Sequence, residues 1–285
     1  MKGTELISGA KNTWCPGCGN FAIQHALKDL LAEMDTEGTL PLERVVLVAG
    51  IGQHGKLFDF MNLNGFYSLH GRTIPVAAGI RLANPGLSVL CVAGDGDCYA
   101  EGLDHLVFAA KRNLDITVLV HDNRVYGLTT GQFTPTSAYG YRGHSTPAGE
   151  HEQPLNPLEL MLASGATFIG RGYTGRREEL KRLIREALLH RGFSFVDILQ
   201  VCATYNNLTG YYDDRVYTWP AGDESDRDAA YVKAREWDYS ADARIGLGVM
   251  YRRTAPTFEE SYPVPPDLSP AERAGWVARV LDERS

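Results

Sequence analysis

The sequence predicts an α/β protein, a parallel sheet with helices on both faces. Three observations carry that expectation. Short runs such as "RVVLVAGIG" and "LSVLCVAGDGD" are apolar throughout instead of alternating, as strands buried on both faces are. Each of these runs closes on glycine. Segments with apolar residues at helical spacing alternate with them, the order of repeated strand–helix units.

The elements follow in chain order. "FAIQHALKDLLAEM" places Phe21, Ile23, Ala26, Leu27, Leu30, Leu31 and Met34 on one helical face, begun by Asn20 and ended near Gly38. "RVVLVAGIG" is the first strand. "IPVAAGIRLANPG" is a helix stopped at Asn84-Pro85-Gly86. "LSVLCVAGDGD" is the second strand, "AEGLDHLVFAAKRNL" a helix and "DITVLVHDN" the third strand. Residues 126–157 are rich in Gly, Thr, Pro and Tyr and lack periodicity. A loop of that length inside a domain is usually functional. "PLELMLASGA" (helix), "TFIGRGY" (strand), "REELKRLIREALLH" (helix) and "FSFVDILQV" (strand) complete the pattern. It degrades beyond about residue 205. The expected organisation is one domain, 1–205, with an N-terminal cysteine loop, and a C-terminal extension, 206–285, packed on that domain or on a partner.

The 285 residues are 44% hydrophobic and 22% charged, with net charge −7. The acidic balance argues against nucleic acid or an anionic membrane as the main partner. No apolar run reaches the roughly 18 residues of a membrane helix. "MKGTELISGAKNTW" has no apolar secretion core, so a cytoplasmic location is expected. Five cysteines, Cys15, Cys18, Cys91, Cys98 and Cys202, make an odd and irregular set, not a disulfide framework. The spacing of Cys15 and Cys18 in "NTWCPGCGNF" suits a metal, an iron–sulfur cluster, redox chemistry or a short disulfide. Cys91 lies mid-strand and reads as a core residue, as Cys98 can. His25 and His105 fall on helices and need no special role.

"GDGD", residues 94–97, closes the second strand. Its glycines let backbone N–H groups approach an anion, and Asp95 offers a hard oxygen donor suited to Mg²⁺. Twenty-eight positions later, after one helix and one strand, comes Asn123. Neighbouring parallel strands bring Asp95 and Asn123 to one edge, where ligands of such sheets bind. Mg²⁺ usually bridges to phosphates, so a metal–diphosphate site is expected. The plainer reading is a tight turn and a capping Asn.

The GDG…Asn arrangement resembles the thiamine diphosphate motif. More specifically, "WCPGCGNF", "GIGQHGK", "LHGR", "GDGD", "HDNRVYGLTTGQFTPTS" and "CATYN", in this order, resemble the β subunit of 2-oxoacid:ferredoxin oxidoreductases. The likeness runs from residue 14 to about 260 and includes "LGVMYRRTAPTFEE". It implies that Asp95, Asn123 and the carbonyl of Val125 hold Mg²⁺. It implies that Gly94, Gly96 and Asp97 line the diphosphate, with Gly127, Leu128 and Thr129 close by. Lys56 matches a lysine that meets the substrate carboxylate. His70 and Arg72 fall near the cofactor, without an assigned role. The glutamate that activates thiamine comes from an α-type partner subunit, in a heterodimer or heterotetramer, so this chain is expected to be inactive alone.

The resemblance also implies a [4Fe–4S] cluster on Cys15, Cys18 and Cys202. The fourth thiol is missing: the family's "GIGC" is "GIGQ" here, with Gln53, and a second place for it holds Leu63. His54 is the leading substitute; Cys91 or Cys98, an incomplete cluster, zinc or an empty site are the alternatives. The implied reaction is oxidative decarboxylation of a 2-oxoacid, with transfer of the acyl group to coenzyme A and of electrons to ferredoxin, or the reverse carboxylation. Arg171, Arg176, Arg177 and Lys181 are the candidate basic patch for ferredoxin. 2-Oxoglutarate is the favoured substrate, although Thr130 replaces a lysine common in relatives that accept it; pyruvate, branched and aryl 2-oxoacids remain alternatives. Two other classes stay open: a non-oxidative thiamine decarboxylase or carboligase without a cluster, and a non-catalytic zinc module.

Overall fold

A computed structural model describes residues 3–240, 242–261 and 268–283. The chain order is α1 (Asn20–Thr36), β1 (Val45–Ala49), α2 (Leu57–Phe60), β2 (Asn64–Tyr67), α3 (Thr73–Ala83), β3 (Ser88–Gly94), α4 (Leu103–Arg112), β4 (Thr117–Asp122), α5 (Pro157–Ser164), β5 (Phe168–Tyr173), α6 (Arg177–Leu189), β6 (Ser194–Leu199), α7 (Thr209–Asp213), β7 (Val216–Thr218), α8 (Arg227–Arg235), β8 (Ile245–Arg252) and α9 (Pro270–Asp282). The strands form one eight-stranded sheet in the order β2-β1-β3-β4-β6-β5-β8-β7.

Both faces of the sheet are covered, which explains the apolar runs. On one face α1 and α6 bury Ile23, Leu27, Leu30, Leu180, Leu183 and Ile184 against Leu47, Leu90, Val92, Leu119 and Val196. On the other, α3, α4, α5 and α8 set Ile74, Leu106, Met161 and Ala230 against Val89, Cys91, Val118 and Phe195. Each fully buried aliphatic side chain is worth about 1.5–3 kcal/mol. Cys91 and Cys98 both lie in the second layer, as core residues.

Two features depart from the expectation. The sheet is not wholly parallel: β8 pairs antiparallel with β5, and β7 runs parallel beside β8. The region beyond residue 205 is therefore more than a covering extension, because it supplies two strands and covers an edge that β5 would otherwise expose. At the opposite edge, all four residues of β2 are exposed. Among the described residues no helix is long and apolar enough to cross a membrane.

Candidate active site at the carboxyl ends of β1, β3 and β4

The strand order sets the ends of β1, β3 and β4 side by side, with Ala49 beside Val92 and Gly94 beside His121. Asp95 and Asn123 each stand one residue past neighbouring strands. They line one cavity of about 90 Å³ together with Gly52, Gln53, His54, His70, Gly94, Gly96, Asp97 and Val125–Thr129.

The two glycines of "GDGD" are needed by side chains of the protein itself. A Cβ on Gly94 would stand 2.7 Å from His54 Nδ1, and one on Gly96 would stand 2.2 Å from the Tyr126 ring. His54 thus fills the space that Gly94 leaves open. Tyr126 is held by its hydroxyl, which donates to both Glu101 oxygens at 3.1 Å.

Asp95 is buried. Burial pushes its carboxyl up to about 6, against the pull of Thr134 and Thr136 hydroxyls. A carboxylate so placed, with its charge unmatched, suits a cation. Asn123 Oδ1 accepts the Val125 N–H at 2.9 Å and keeps a second lone pair. The donor set is therefore all oxygen, as Mg²⁺ requires.

Asp97 organises the other wall. Its Oδ1 accepts the Gly71 N–H at 2.7 Å and lies 3.0 Å from His70 Nδ1, while Oδ2 lies 3.5 Å from His54 Nε2. Burial raises the Asp97 carboxyl, but the two imidazoles and the amide outweigh it and bring it down to about 2. The bond to Asp97 raises His70 above the usual imidazole range, against partial burial.

The remaining expected residues sit further out. Lys56 opens α2, half-buried, and does not line the cavity. Arg72 is exposed and meets His105. Leu128 and Thr129 are exposed at the rim.

The cysteine loop docks on the segment after β6. Gly19 N–H donates to the Val201 carbonyl at 3.3 Å, and a Cβ on Gly17 would touch Ala203. Cys15 is exposed, Cys18 and Cys202 are partly buried, and all three are free. Burial pushes the Cys18 thiol up to about 11; Cys202 and Cys15 push the same way, and hydrogen bonds from Asn20 oppose them. A Cβ on Gly127 would lie 3.6 Å from Cys202 Sγ and 3.9 Å from the Asn123 amide nitrogen, so the cysteine loop adjoins the cavity.

His54, expected as a fourth cluster ligand, is turned to Asp97 instead. The cause is steric and electrostatic: the Gly94 gap accepts the ring, and a buried carboxylate attracts it. Among the described residues no three His, Cys, Asp or Glu side chains gather as a metal site as they stand. Leu63 packs against the same apolar cluster as Cys18. The three thiols fit a cluster only in part. Of the expected basic patch, Arg176 is exposed and the other three are engaged within the chain. Arg171 is 1% exposed, and Arg177 and Lys181 pair with Asp29 and Glu33 of α1.

Residues 50–198 match the family model of the thiamine pyrophosphate enzyme C-terminal TPP binding domain, and residues 202–266 match that of the C-terminal region of the pyruvate ferredoxin oxidoreductase beta subunit. The chain is 40% identical to 2-oxoacid:ferredoxin oxidoreductase 1, subunit beta, of Aeropyrum pernix, over 91% of this chain and 87% of that protein. This chain belongs to the β subunits of the 2-oxoacid:ferredoxin oxidoreductases. It is also 40% identical to 2-oxoglutarate oxidoreductase subunit KorB of Mycobacterium tuberculosis, over 73% of this chain and 54% of that protein. A solved 2-oxoglutarate:ferredoxin oxidoreductase from Magnetococcus marinus, with 2-oxoglutarate, coenzyme A and succinyl-CoA bound, superposes with a TM-score of 0.85 at 32% identity, covering 99% of this chain and 91% of that one.

Several residues at and around this cavity carry no local signal. Tyr126 lines it, Thr136 touches Asp95 and Asp122, and His121 pairs with Gly94, yet only their membership of quoted motifs sets them apart in the sequence. His121 is fully buried, with Nδ1 2.8 Å from Asn20 Oδ1 and its ring 5.9 Å from that of His54. A line of polar groups thus runs from Cys18 through Asn20, His121 and His54 to Asp97.

Proposed function

We propose that this chain is the diphosphate-binding half of a coenzyme A-dependent 2-oxoacid:ferredoxin oxidoreductase, with 2-oxoglutarate as the favoured substrate. The observation that carries this reading is the pairing of Asp95 and Asn123 across one cavity at the ends of adjacent strands. Asp95, Asn123 and the Val125 carbonyl would hold Mg²⁺. Backbone groups of Gly94, Gly96 and Asp97 would line the diphosphate. When bound, thiamine diphosphate supplies the nucleophile and the electron sink for decarboxylating a 2-oxoacid.

The chain's own groups bind and orient. Asp97 fixes His70 at the cavity wall. The substrate carboxylate would meet Lys56 once the partner closes the site. The α-type partner brings the glutamate that activates the cofactor. Cys15, Cys18 and Cys202 would supply three ligands of an iron–sulfur cluster, a one-electron acceptor on the way to ferredoxin.

The preference for 2-oxoglutarate is supported by the relatives and the solved complex named above; Thr130 in place of a lysine weighs against it. Initial rates with a panel of 2-oxoacids, measured on the assembled complex with coenzyme A and ferredoxin, test it. 2-Oxoglutarate should give the highest kcat/KM, and a higher value for pyruvate or a branched 2-oxoacid would overturn that preference. The lack of a fourth thiol favours one second reading, a non-oxidative thiamine enzyme. Carbon dioxide release without acceptor reduction would establish it.

A further inference from the structure

The "TPTS" run, residues 134–137, lies in the long segment before α5 and is buried: Thr134 is 3% exposed, Thr136 0% and Ser137 2%. A polar run inside a protein must have its groups satisfied. Here they are satisfied by the two arms of the cation site. Thr136 Oγ1 lies 3.1 Å from Asp95 Oδ2, past the end of β3, and 2.8 Å from Asp122 Oδ1, the last residue of β4. Ser137 Oγ donates to the Arg124 carbonyl at 2.6 Å and accepts the Thr134 N–H at 2.8 Å.

Arg124 answers from its own side. Its N–H donates to Asp122 Oδ1 at 3.1 Å, its Nε donates to the Thr136 carbonyl at 2.7 Å, and its Nη2 reaches the Tyr239 carbonyl. Arg124 is itself 3% exposed, and its φ of +63° is one that an L side chain rarely adopts. Such a conformation persists only where its surroundings impose it. It sits between Asn123 and Val125, so it sets the turn that aims both.

We propose that Thr136 and Ser137 are positioning residues for the cation site, one fixing the Asp95 carboxylate and the other fixing the Asn123–Val125 turn through Arg124. The strap holds together two arms that the sheet alone brings only to neighbouring positions. The inference rests on the thiamine reading of the site.

Outer partners of metal ligands typically change metal affinity by about 10- to 100-fold. Thr136→Val keeps the shape and removes the hydroxyl; Thr136→Ser keeps the hydroxyl and removes the methyl. The complex of this chain with its partner subunit is stripped of cofactor. Calorimetric titration then gives the Mg²⁺ dependence of thiamine diphosphate binding, and thermal unfolding without ligand is recorded beside it. Thr136→Val should need about tenfold or more Mg²⁺ for half-saturation, while Thr136→Ser should stay within about threefold of the natural protein. Ser137→Ala should shift it in the same direction and serves where Thr136→Val does not fold. Unchanged Mg²⁺ dependence in the folded variants would overturn the proposal, as would equal weakening by Val and Ser. A natural complex that binds no thiamine diphosphate would instead overturn the thiamine reading, and the proposal with it.

Discussion

Asp97 Oδ1 lies 3.0 Å from His70 Nδ1, and Oδ2 of the same carboxylate lies 3.5 Å from His54 Nε2. One buried carboxylate therefore serves two imidazoles from two different loops. Asp95, two residues earlier, has hydroxyl neighbours and no cationic partner among the contacts described. The two aspartates consequently respond to pH with opposite sign.

Asp97 is depressed to about 2, so it contributes stability above its unfolded value of about 4 and loses it as pH falls from there towards 2. Asp95 is raised to about 6, so the folded chain holds a proton that the unfolded chain has released. Ligand-free stability is then lost as pH rises from about 4 through 6. Chemical denaturation across this range should show both. Asp97→Asn should flatten the acid limb, and Asp95→Asn the limb between about 4 and 6. The opposite assignment would contradict the account. Since Asp97 raises His70, Asp97→Asn should also bring the His70 imidazole titration down, as followed by NMR of the ligand-free protein.

Gly96 has no room for a methyl group, because the Tyr126 ring occupies its place. Gly96→Ala should displace that ring, break its bond to Glu101 and destabilise the protein by about 1–3 kcal/mol, the usual cost of overpacking. Tyr126→Ala in the same chain should restore much of that loss. Equal stability of Gly96→Ala and the natural protein, by denaturant titration, would show that the turn is looser than described.

His54 faces Asp97, whereas Cys18 feels the charges of Cys15 and Cys202. On the complex purified without oxygen, His54→Ala should therefore leave iron and acid-labile sulfide unchanged while weakening thiamine diphosphate binding. Cys202→Ser should lower the iron content. About four irons per chain in the natural protein would fit a complete cluster. Loss of iron in His54→Ala would return that imidazole to the cluster.

The α1–α6 seam carries the pairs Arg177–Asp29, Lys181–Glu33 and Arg185–Glu37. Exposed pairs of this kind contribute less than about 1 kcal/mol, so Asp29→Ala should cost no more than that by thermal unfolding. A larger loss would mark the seam as a network.

The motif order, the parallel strands β1, β3, β4, β5 and β6 and the helices between them are legible in the sequence because burial on both faces leaves an unbroken apolar signature. β2 escapes notice because its four residues are exposed, so "NGFY" carries no burial pattern. β8 escapes because Gly246 and Gly248 interrupt its run, and β7 because it spans three residues. Asp95 and Asn123 stand out by position at strand ends. Thr136 does not, since only the folded chain brings residue 136 to residue 95. The position of His54 is not legible in the sequence, because its neighbours in space are the gap at Gly94 and the Asp97 carboxylate, in a different loop. Two members of the expected basic patch, Arg177 and Lys181, likewise meet acids 148 positions earlier in the chain.

The central claim is that Asp95 and Asn123 form the cation-dependent half of a thiamine diphosphate site. Equilibrium binding of thiamine diphosphate to the complex of this chain with its partner subunit, with and without Mg²⁺, tests it most directly. The account predicts one thiamine diphosphate per chain, dependent on Mg²⁺, and a loss of affinity of about a hundredfold or more in Asp95→Ala, beyond what outer partners cost. Binding that is independent of Mg²⁺, or unchanged in Asp95→Ala, would contradict it.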